Sequence, residues 1–526
     1  MIQFEVDGRQ VEVPDDGASL LEVLRDRLGI HSPKDGCSPQ GQCGCCTVLV
    51  DGQPRVACVT PARRVRDRTI TTLDGFDPDR RARWADAFCA TGASQCGFCT
   101  PGIIVRLDGL YDKKPGASDA EVERALQAHL CRCTGWRTIL DAWHVVAVGT
   151  PVAHAGDRDL AAAARRAEIE GGVAQEVGPQ VALGAGHFAA DEAPADSLVA
   201  VPDLDGGWAV ADTLAAARAQ AGKVQGRRTT VSASPPLDLP AGEWAVTLRT
   251  SWVEPAYLET DASWCVPGGE PYTPLANGGA FGAKLDSVAP AAARRLADEH
   301  GVPVRVLLSR EDSVRLGAKR PPIAAGLRAD GSGMVRVVRT PGIAERIRSV
   351  LPDVTVEEVD VAGPPTSSDI RGAGWAEAWV LRAALADAPV RVDGIAGGWA
   401  EARIDDGVAR VTVAAGDALD EVVLRSYCVG AAHMALGWVA SEGLAVDDDG
   451  VVHDLTIRSF GVLRAIDTPA IEVEIDRTPG PSVNGSDAVF AAVAGAAWLA
   501  GGRVPDWPTG HTVRTTTNAA NAGSDT

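Results

Sequence analysis

The sequence predicts a multidomain α+β protein. A small β-rich domain covers residues 1–74, a domain of short helices 75–150, a linker 151–175, and a long mixed α/β region 176–526. Three observations carry this reading. A chain of 526 residues exceeds what one hydrophobic core usually serves, so two to four domains are expected. The apolar periodicity changes from strand-like to helical near residue 75. Ten of the twelve cysteines lie between Cys37 and Cys133, with only Cys265 and Cys428 beyond, so the first part has a chemistry of its own.

Each element follows in order. Ile2 to Val6, the turn Asp7-Gly8 and Gln10 to Val13 read as strand, tight turn, strand. Ser19 is an N-cap with Glu22 three residues on, a capping box ahead of Leu20, Leu21, Val23, Leu24 and Leu28. Val48-Leu49-Val50 before Asp51-Gly52 supplies another hairpin, and together these open a β-grasp domain. Helical periodicity then marks 81–89, 102–110, 119–130 and 139–148, a compact four-helix unit. Residues 150–175 are rich in Ala, Arg, Asp and Gly, with one polar helix at most, and read as a linker. The polar run 514–526 lacks apolar anchors and is expected to fray.

Composition narrows the function. A net charge of −20 argues against nucleic acid, whose phosphates need clustered Lys and Arg, and favours a solvated surface or a basic partner. The opening Met1-Ile2-Gln3-Phe4-Glu5-Val6 lacks the basic start of a secretory signal. The apolar stretch 488–500 is too short to span a bilayer and reads as a buried helix, so no membrane insertion is expected. Cysteines clustered without an export signal point to metal or redox chemistry in the cytoplasm, where disulfides rarely persist.

The first cysteine set is Gly36-Cys37-Ser38-Pro39-Gln40-Gly41-Gln42-Cys43-Gly44-Cys45-Cys46, with Cys58 further on. Three thiolates on one glycine-rich loop and a fourth from a neighbouring strand suit a plant-type [2Fe–2S] cluster. Small residues let backbone N–H groups turn inward to offset the cluster's negative charge. Five residues separate Cys37 from Cys43, one more than the plant spacing; Cys43 and Cys46 keep the two-residue interval, which leaves Cys45 as a spare thiol. The second set is Gln95-Cys96-Gly97-Phe98-Cys99-Thr100-Pro101-Gly102 with Cys131-Arg132-Cys133-Thr134-Gly135, each pair beside a helix end whose dipole favours bound negative charge. Paired cysteines also suit zinc, but a C-x-C pair is unusual there, and one zinc ion leaves the other four thiols unexplained. Cys89 is read as a buried apolar residue.

These two sets in this order resemble the xanthine dehydrogenase / aldehyde oxidase family of molybdenum hydroxylases, and in particular the iron–sulfur small subunit of its split bacterial versions. The resemblance covers residues 1–150. It implies an oxidoreductase subunit in which the helical-domain cluster, on Cys96, Cys99, Cys131 and Cys133, faces the molybdopterin and receives electrons first. It also implies that Gln95 and Cys133 hydrogen-bond the pterin, and that the β-grasp cluster, on Cys37, Cys43, Cys46 and Cys58, passes electrons towards FAD.

Residues 176–526 resemble the same family's molybdopterin-binding large subunit in shortened form. The likeness runs through Val181 to Gly184, Glu254-Pro255-Ala256, the glycine loop Ala276-Asn277-Gly278-Gly279-Ala280-Phe281-Gly282-Ala283-Lys284, Val304 to Asp312, Lys319 to Ile323 and Arg371-Gly372-Ala373-Gly374. It implies that Phe281 and Arg371 line a cofactor site. Several parts depart from the pattern. Leu285 stands where purine-oxidising members have a glutamate, and Met434 where many have a glutamine. Gly485-Ser486-Asp487 replaces the Gly-Glu-Pro whose glutamate is the general base. Ser486 cannot act as a carboxylate base, and Asp487 is one position late and one methylene short. The expectation is a degenerate molybdenum domain that docks the iron–sulfur module onto a true catalytic subunit; the alternative is a self-contained molybdenum site with Asp487 as base.

No Gly-x-Gly-x-x-Gly follows a strand, so FAD is expected on a partner subunit and the assembly to be a hetero-oligomer. A non-enzymatic iron–sulfur sensor or assembly factor is the contending class, although sensors need exposed, labile thiols.

Overall fold

The computed structural model describes residues 1–510 apart from 151–154, 223, 225, 227–230, 274–278 and 387. The run 514–526 and the start of the glycine loop therefore lie outside the described residues.

Strands β1 (Ile2–Val6), β2 (Arg9–Val13), β3 (Thr47–Val50), β4 (Gln53–Val56) and β5 (Thr69–Thr71) form one sheet in the order β2-β1-β5-β3-β4. The central β1–β5 pair is parallel and the other pairs are antiparallel, the β-grasp arrangement. Helix α1 (Leu20–Glu22) continues as a π-helical turn over Val23–Arg27. Ser19 Oγ accepts from Glu22 N at 3.1 Å, half of the expected capping box; the Glu22 carboxylate turns to Arg27 at 2.8 Å instead.

Helices α2 (Pro78–Thr91), α3 (Thr100–Tyr111), α4 (Asp119–Ala125) and α5 (Arg137–Val148) make the second unit. The third helix ends sooner than its periodicity predicts, tightening to 3₁₀ over Leu126–Ala128 before the second cysteine pair.

The stretch read as a linker is built into the fold. Helix α6 (Leu160–Gly171) buries Arg166 and Glu170 completely. Arg166 donates to the carbonyls of Ala418 at 2.8 Å and Val483 at 2.8 Å, and Glu170 accepts from the Gly485 and Ser486 N–H groups. Buried charges persist only when paired and hydrogen-bonded, and these partners lie some 250–320 positions away in sequence, which composition could not reveal.

The remainder holds three sheets. The first, in the order β7-β6-β10-β9, is built from β6 (Leu198–Pro202), β7 (Trp208–Ala211), β9 (Ala262–Cys265) and β10 (Val304–Leu307). The second contains β8 (Val246–Thr250), β11 (Ile323–Leu327), β12 (Gly333–Val338), β13 (Val354–Val359) and β18 (Asp506–Trp507), and the third β14 (Val390–Asp393), β15 (Trp399–Asp405), β16 (Val408–Ala414) and β17 (Ile471–Asp476). Among the helices are α7 (Pro179–Ala182), α8 (Ala189–Glu192), α9 (Leu214–Ala221), α10 (Ala289–His300), α11 (Arg310–Leu316), α12 (Ile343–Val350), α13 (Trp375–Ala383), α14 (Glu421–Ala440) and α15 (Ser486–Ala500). Helix α14 is long and apolar enough to cross a membrane, but 89% of its apolar window is buried inside the protein, so it is a core helix. One hydrophobic core joins the β-grasp and helical units to Trp252, Leu258, Leu455, Ile457 and Phe460 of the second half, so the two halves pack as one body.

Candidate functional site: two cysteine cradles

The first cradle depends on backbone turns that L side chains disfavour. Gly41 and Gly44 have φ of 71° and 74°, and a Cβ on Gly44 would meet the His129 ring at 2.5 Å. The loop so curled aims N–H groups at sulfur: Gln40 N donates to Cys37 Sγ at 3.2 Å and Cys58 N to Cys46 Sγ at 3.5 Å. Cys37, Cys43, Cys46 and Cys58 are all at most 5% exposed. Cys37 lies within hydrogen-bonding reach of both Cys43 and Cys58, and Cys58 also of Cys46. Cys45 is buried beside them, its thiol 3.9 Å from the Cys43 carbonyl.

In the second cradle Cys133 Sγ stands 3.8 Å from Cys96 Sγ, and Cys131 pairs with Cys99. Cys99 is the N-cap of α3, whose dipole favours negative charge there. Thr134 Oγ1 sits 3.1 Å from Cys131 Sγ. The two loops are joined directly, because Leu130 N donates to the Cys43 carbonyl at 3.0 Å.

The electrostatics ask for a cation. Pairing with Cys99 and contact with Thr134 bring Cys131 down to about 6, while its neighbours hold Cys99 and Cys133 well above the ordinary thiol range. Cys37 is likewise pushed well down by Cys43 and Cys58, and those two are pushed up. Thiols this close cannot all ionise alone; bound metal reverses that and deprotonates them outright. Among the described residues, no three or more His, Cys, Asp or Glu side chains converge on a single-ion position.

Away from the cradles, Phe281 and Arg371 stack with 4.0 Å between guanidinium carbon and ring centroid. Arg371 is 3% exposed and reaches Ser486 Oγ at 3.3 Å and Asp487 Oδ1 at 3.4 Å. The structure therefore gathers these four around one point, but not around open space. On one side a cavity of 20 Å³ is bounded by Arg320, Met434, Trp438 and Phe490, which is room for about one water. On the other, a 190 Å³ pocket reaches Leu285 and Asp487.

Three residues that sequence reasoning missed, Ser426, Gly430 and Glu442, cover the second cradle. Gln95 Nε2 donates to the Cys133 carbonyl at 2.9 Å and to Ser426 Oγ at 3.0 Å. Gly430 passes so close that a Cβ would lie 1.7 Å from the Cys133 carbonyl oxygen. Glu442 binds Arg132, the residue between the two thiols. The one available signal was Arg132 itself, a cation that burial obliges to find a carboxylate.

Buried thiols in two linked sets define an iron–sulfur electron-transfer protein. The family described as "2Fe-2S iron-sulfur cluster binding domain" matches residues 4–68, and "[2Fe-2S] binding domain" matches 72–144. The nicotinate dehydrogenase small FeS subunit of Eubacterium barkeri is 42% identical over 118 residues, 22% of this chain and 74% of that one. Isoquinoline 1-oxidoreductase subunit alpha of Brevundimonas diminuta is 38% identical over 147 residues, 27% and 95% of the two chains. The aldehyde oxidoreductase structure from Desulfovibrio gigas superposes with a TM-score of 0.68 at 15% identity, covering 97% of this chain and 99% of that one, a likeness of fold. The chain belongs to the xanthine dehydrogenase / aldehyde oxidase family of molybdenum hydroxylases.

That family's pterin cofactor does not fit the described residues. Pockets for molecules of drug size measure roughly 300–1,000 Å³, against 20 Å³ on one side of Arg371 and 190 Å³ on the other. The Nε2 group of Gln95, a residue expected to hydrogen-bond the pterin, is spent on the Cys133 carbonyl and Ser426 Oγ.

Proposed function

We propose that the chain is a two-cluster electron relay of a molybdenum hydroxylase assembly. Cys37, Cys43, Cys46 and Cys58 hold one [2Fe–2S] cluster, and Cys96, Cys99, Cys131 and Cys133 hold the other. The observation that carries the reading is the pairwise convergence of buried thiols in two loops linked by the Leu130–Cys43 hydrogen bond. The clusters supply one-electron carriers. The protein supplies the charge balance: N–H groups on Cys37 and Cys46, the α3 terminus at Cys99 and the Thr134 hydroxyl on Cys131 all stabilise negative sulfur. Two carriers in series suit a donor that loses two electrons at once.

Residues 1–74 and 75–150 are the two cluster domains, and residues 176–526 are a degenerate molybdenum-domain relative that secures them. Molybdopterin and FAD reside on partner subunits in a hetero-oligomer, a reading supported by the subunit names of the relatives and by the small cavity at Phe281 and Arg371. The proposed compartment is the cytoplasm, supported by twelve cysteines of which none forms a disulfide.

Anaerobically reconstituted protein should bind four irons per chain and give two distinct paramagnetic signals with dithionite. A single zinc, or well under four irons, overturns the relay. About one molybdenum per isolated chain overturns the placing of molybdopterin on a partner.

A further inference from the structure

A 250 Å³ cavity lies at the seam between the β-grasp unit and the sheet containing β10, and Cys58 forms part of its wall. Phe98, which directly precedes Cys99, lies on the same wall with Leu21 and Pro39. Phe98 packs edge-on against Phe188, 5.0 Å between centroids, so the aromatic side of the cavity is held in place. The polar side is formed by Asp35, Arg218 and Glu259. Arg218 donates to Ser38 Oγ at 2.8 Å, and Ser38 Oγ reaches Asp35 Oδ2 at 3.3 Å, while Asp35 Oδ1 has no hydrogen-bond partner among the described residues. Glu259, 4% exposed, meets Lys284 through Oε2 at 2.6 Å and leaves Oε1 without a partner.

We propose that this cavity binds a one- or two-ring quinone that exchanges electrons with the cluster held by Cys58; this rests on the relay reading above. The volume falls just below the roughly 300–1,000 Å³ of drug-sized sites, which suits a compact aromatic ring. Apolar walls take the ring faces, and Arg218 offers N–H groups to the quinone oxygens. The step balances. Each of two reduced clusters loses one electron, and the quinone takes both with two protons from solvent to become the hydroquinone. Contact with a cluster-ligating cysteine gives the ring the close approach that electron exchange needs.

The test uses dithionite-reduced holoprotein freed of excess reductant and mixed anaerobically with 1,4-naphthoquinone, following the return of cluster absorbance. The rate should saturate with quinone concentration. Redox-inert 2-naphthol should slow it at least tenfold by competition, while oxidation by ferricyanide stays unchanged. Ala215→Trp, at an exposed position on the cavity rim, should abolish saturation and slow quinone reduction at least tenfold, with iron content and the ferricyanide rate preserved. A rate strictly proportional to quinone and indifferent to 2-naphthol overturns the site even if the variant fails to fold. Absence of clusters overturns the relay reading instead, and the ferricyanide reaction separates the two failures.

Discussion

Arg132 forks its guanidinium across the Glu442 carboxylate at 2.5 and 2.7 Å, with the arginine side chain 4% and the glutamate 1% exposed. Its Nε also donates to the Pro255 carbonyl at 2.9 Å. One residue between two cradle thiols thereby ties the N-terminal module to two separate segments of the second half. Removing one partner of such a pair strands a buried charge and costs about 3–5 kcal/mol, whereas replacing both by apolar groups of similar volume is often neutral. Glu442→Gln should lower thermal stability by that order, and the double variant Arg132→Met/Glu442→Met should recover most of the loss in calorimetry.

The close passage of α14 over the second cradle gives a sharper outcome. Gly430→Ala places a methyl where the Cys133 carbonyl already stands, and overpacking of this kind costs typically 1–3 kcal/mol, occasionally more. The expected result is loss or broadening of one paramagnetic signal, with the other unchanged. Two intact signals would show that α14 yields easily.

Cys45 and Cys46 should behave oppositely. Cys45→Ala removes a thiol that touches only the Cys43 carbonyl and its neighbouring sulfurs, so four irons per chain should remain. Cys46→Ala should leave two, because its sulfur accepts from Cys58 N within the cradle. Iron assay of both variants decides the register.

His433 makes stability depend on pH. Burial first, and Arg132 nearby, hold it down to about 3, and it stays neutral against the Leu463 carbonyl at 3.0 Å. The unfolded chain protonates this histidine near pH 6.5 while the folded chain does not. Its contribution is therefore complete above about pH 6.5 and falls as pH drops towards 3, by about 1.4 kcal/mol per pH unit. Thermal midpoints between pH 7 and 5 should decline less steeply in His433→Gln than in the parent protein.

Much of the iron–sulfur half was legible because its chemistry is local. Cysteine spacing, the glycines at 41 and 44 and the four apolar periodicities all lie within short windows. The second half was legible as to fold but not as to space. Met434, Ser486 and Asp487 stood out as substitutions, yet the filling of the volume near Arg371 by Trp438 and Phe490 depends on helices α14 and α15 packing together. The run 151–175 was misread for the same reason. Arg166 looks like a solvated residue until the carbonyls of Ala418 and Val483 meet it.

The wrapping of the second cradle also sets an order of events in the life of the polypeptide. Cys131 and Cys133 are 1% and 4% exposed, beneath α14 and the Arg132–Glu442 clasp, whose residues are made some three hundred positions later. On the relay reading proposed above, iron reaches these thiols before that helix is seated. A chain that closes empty has to reopen part of its own core before it can be loaded.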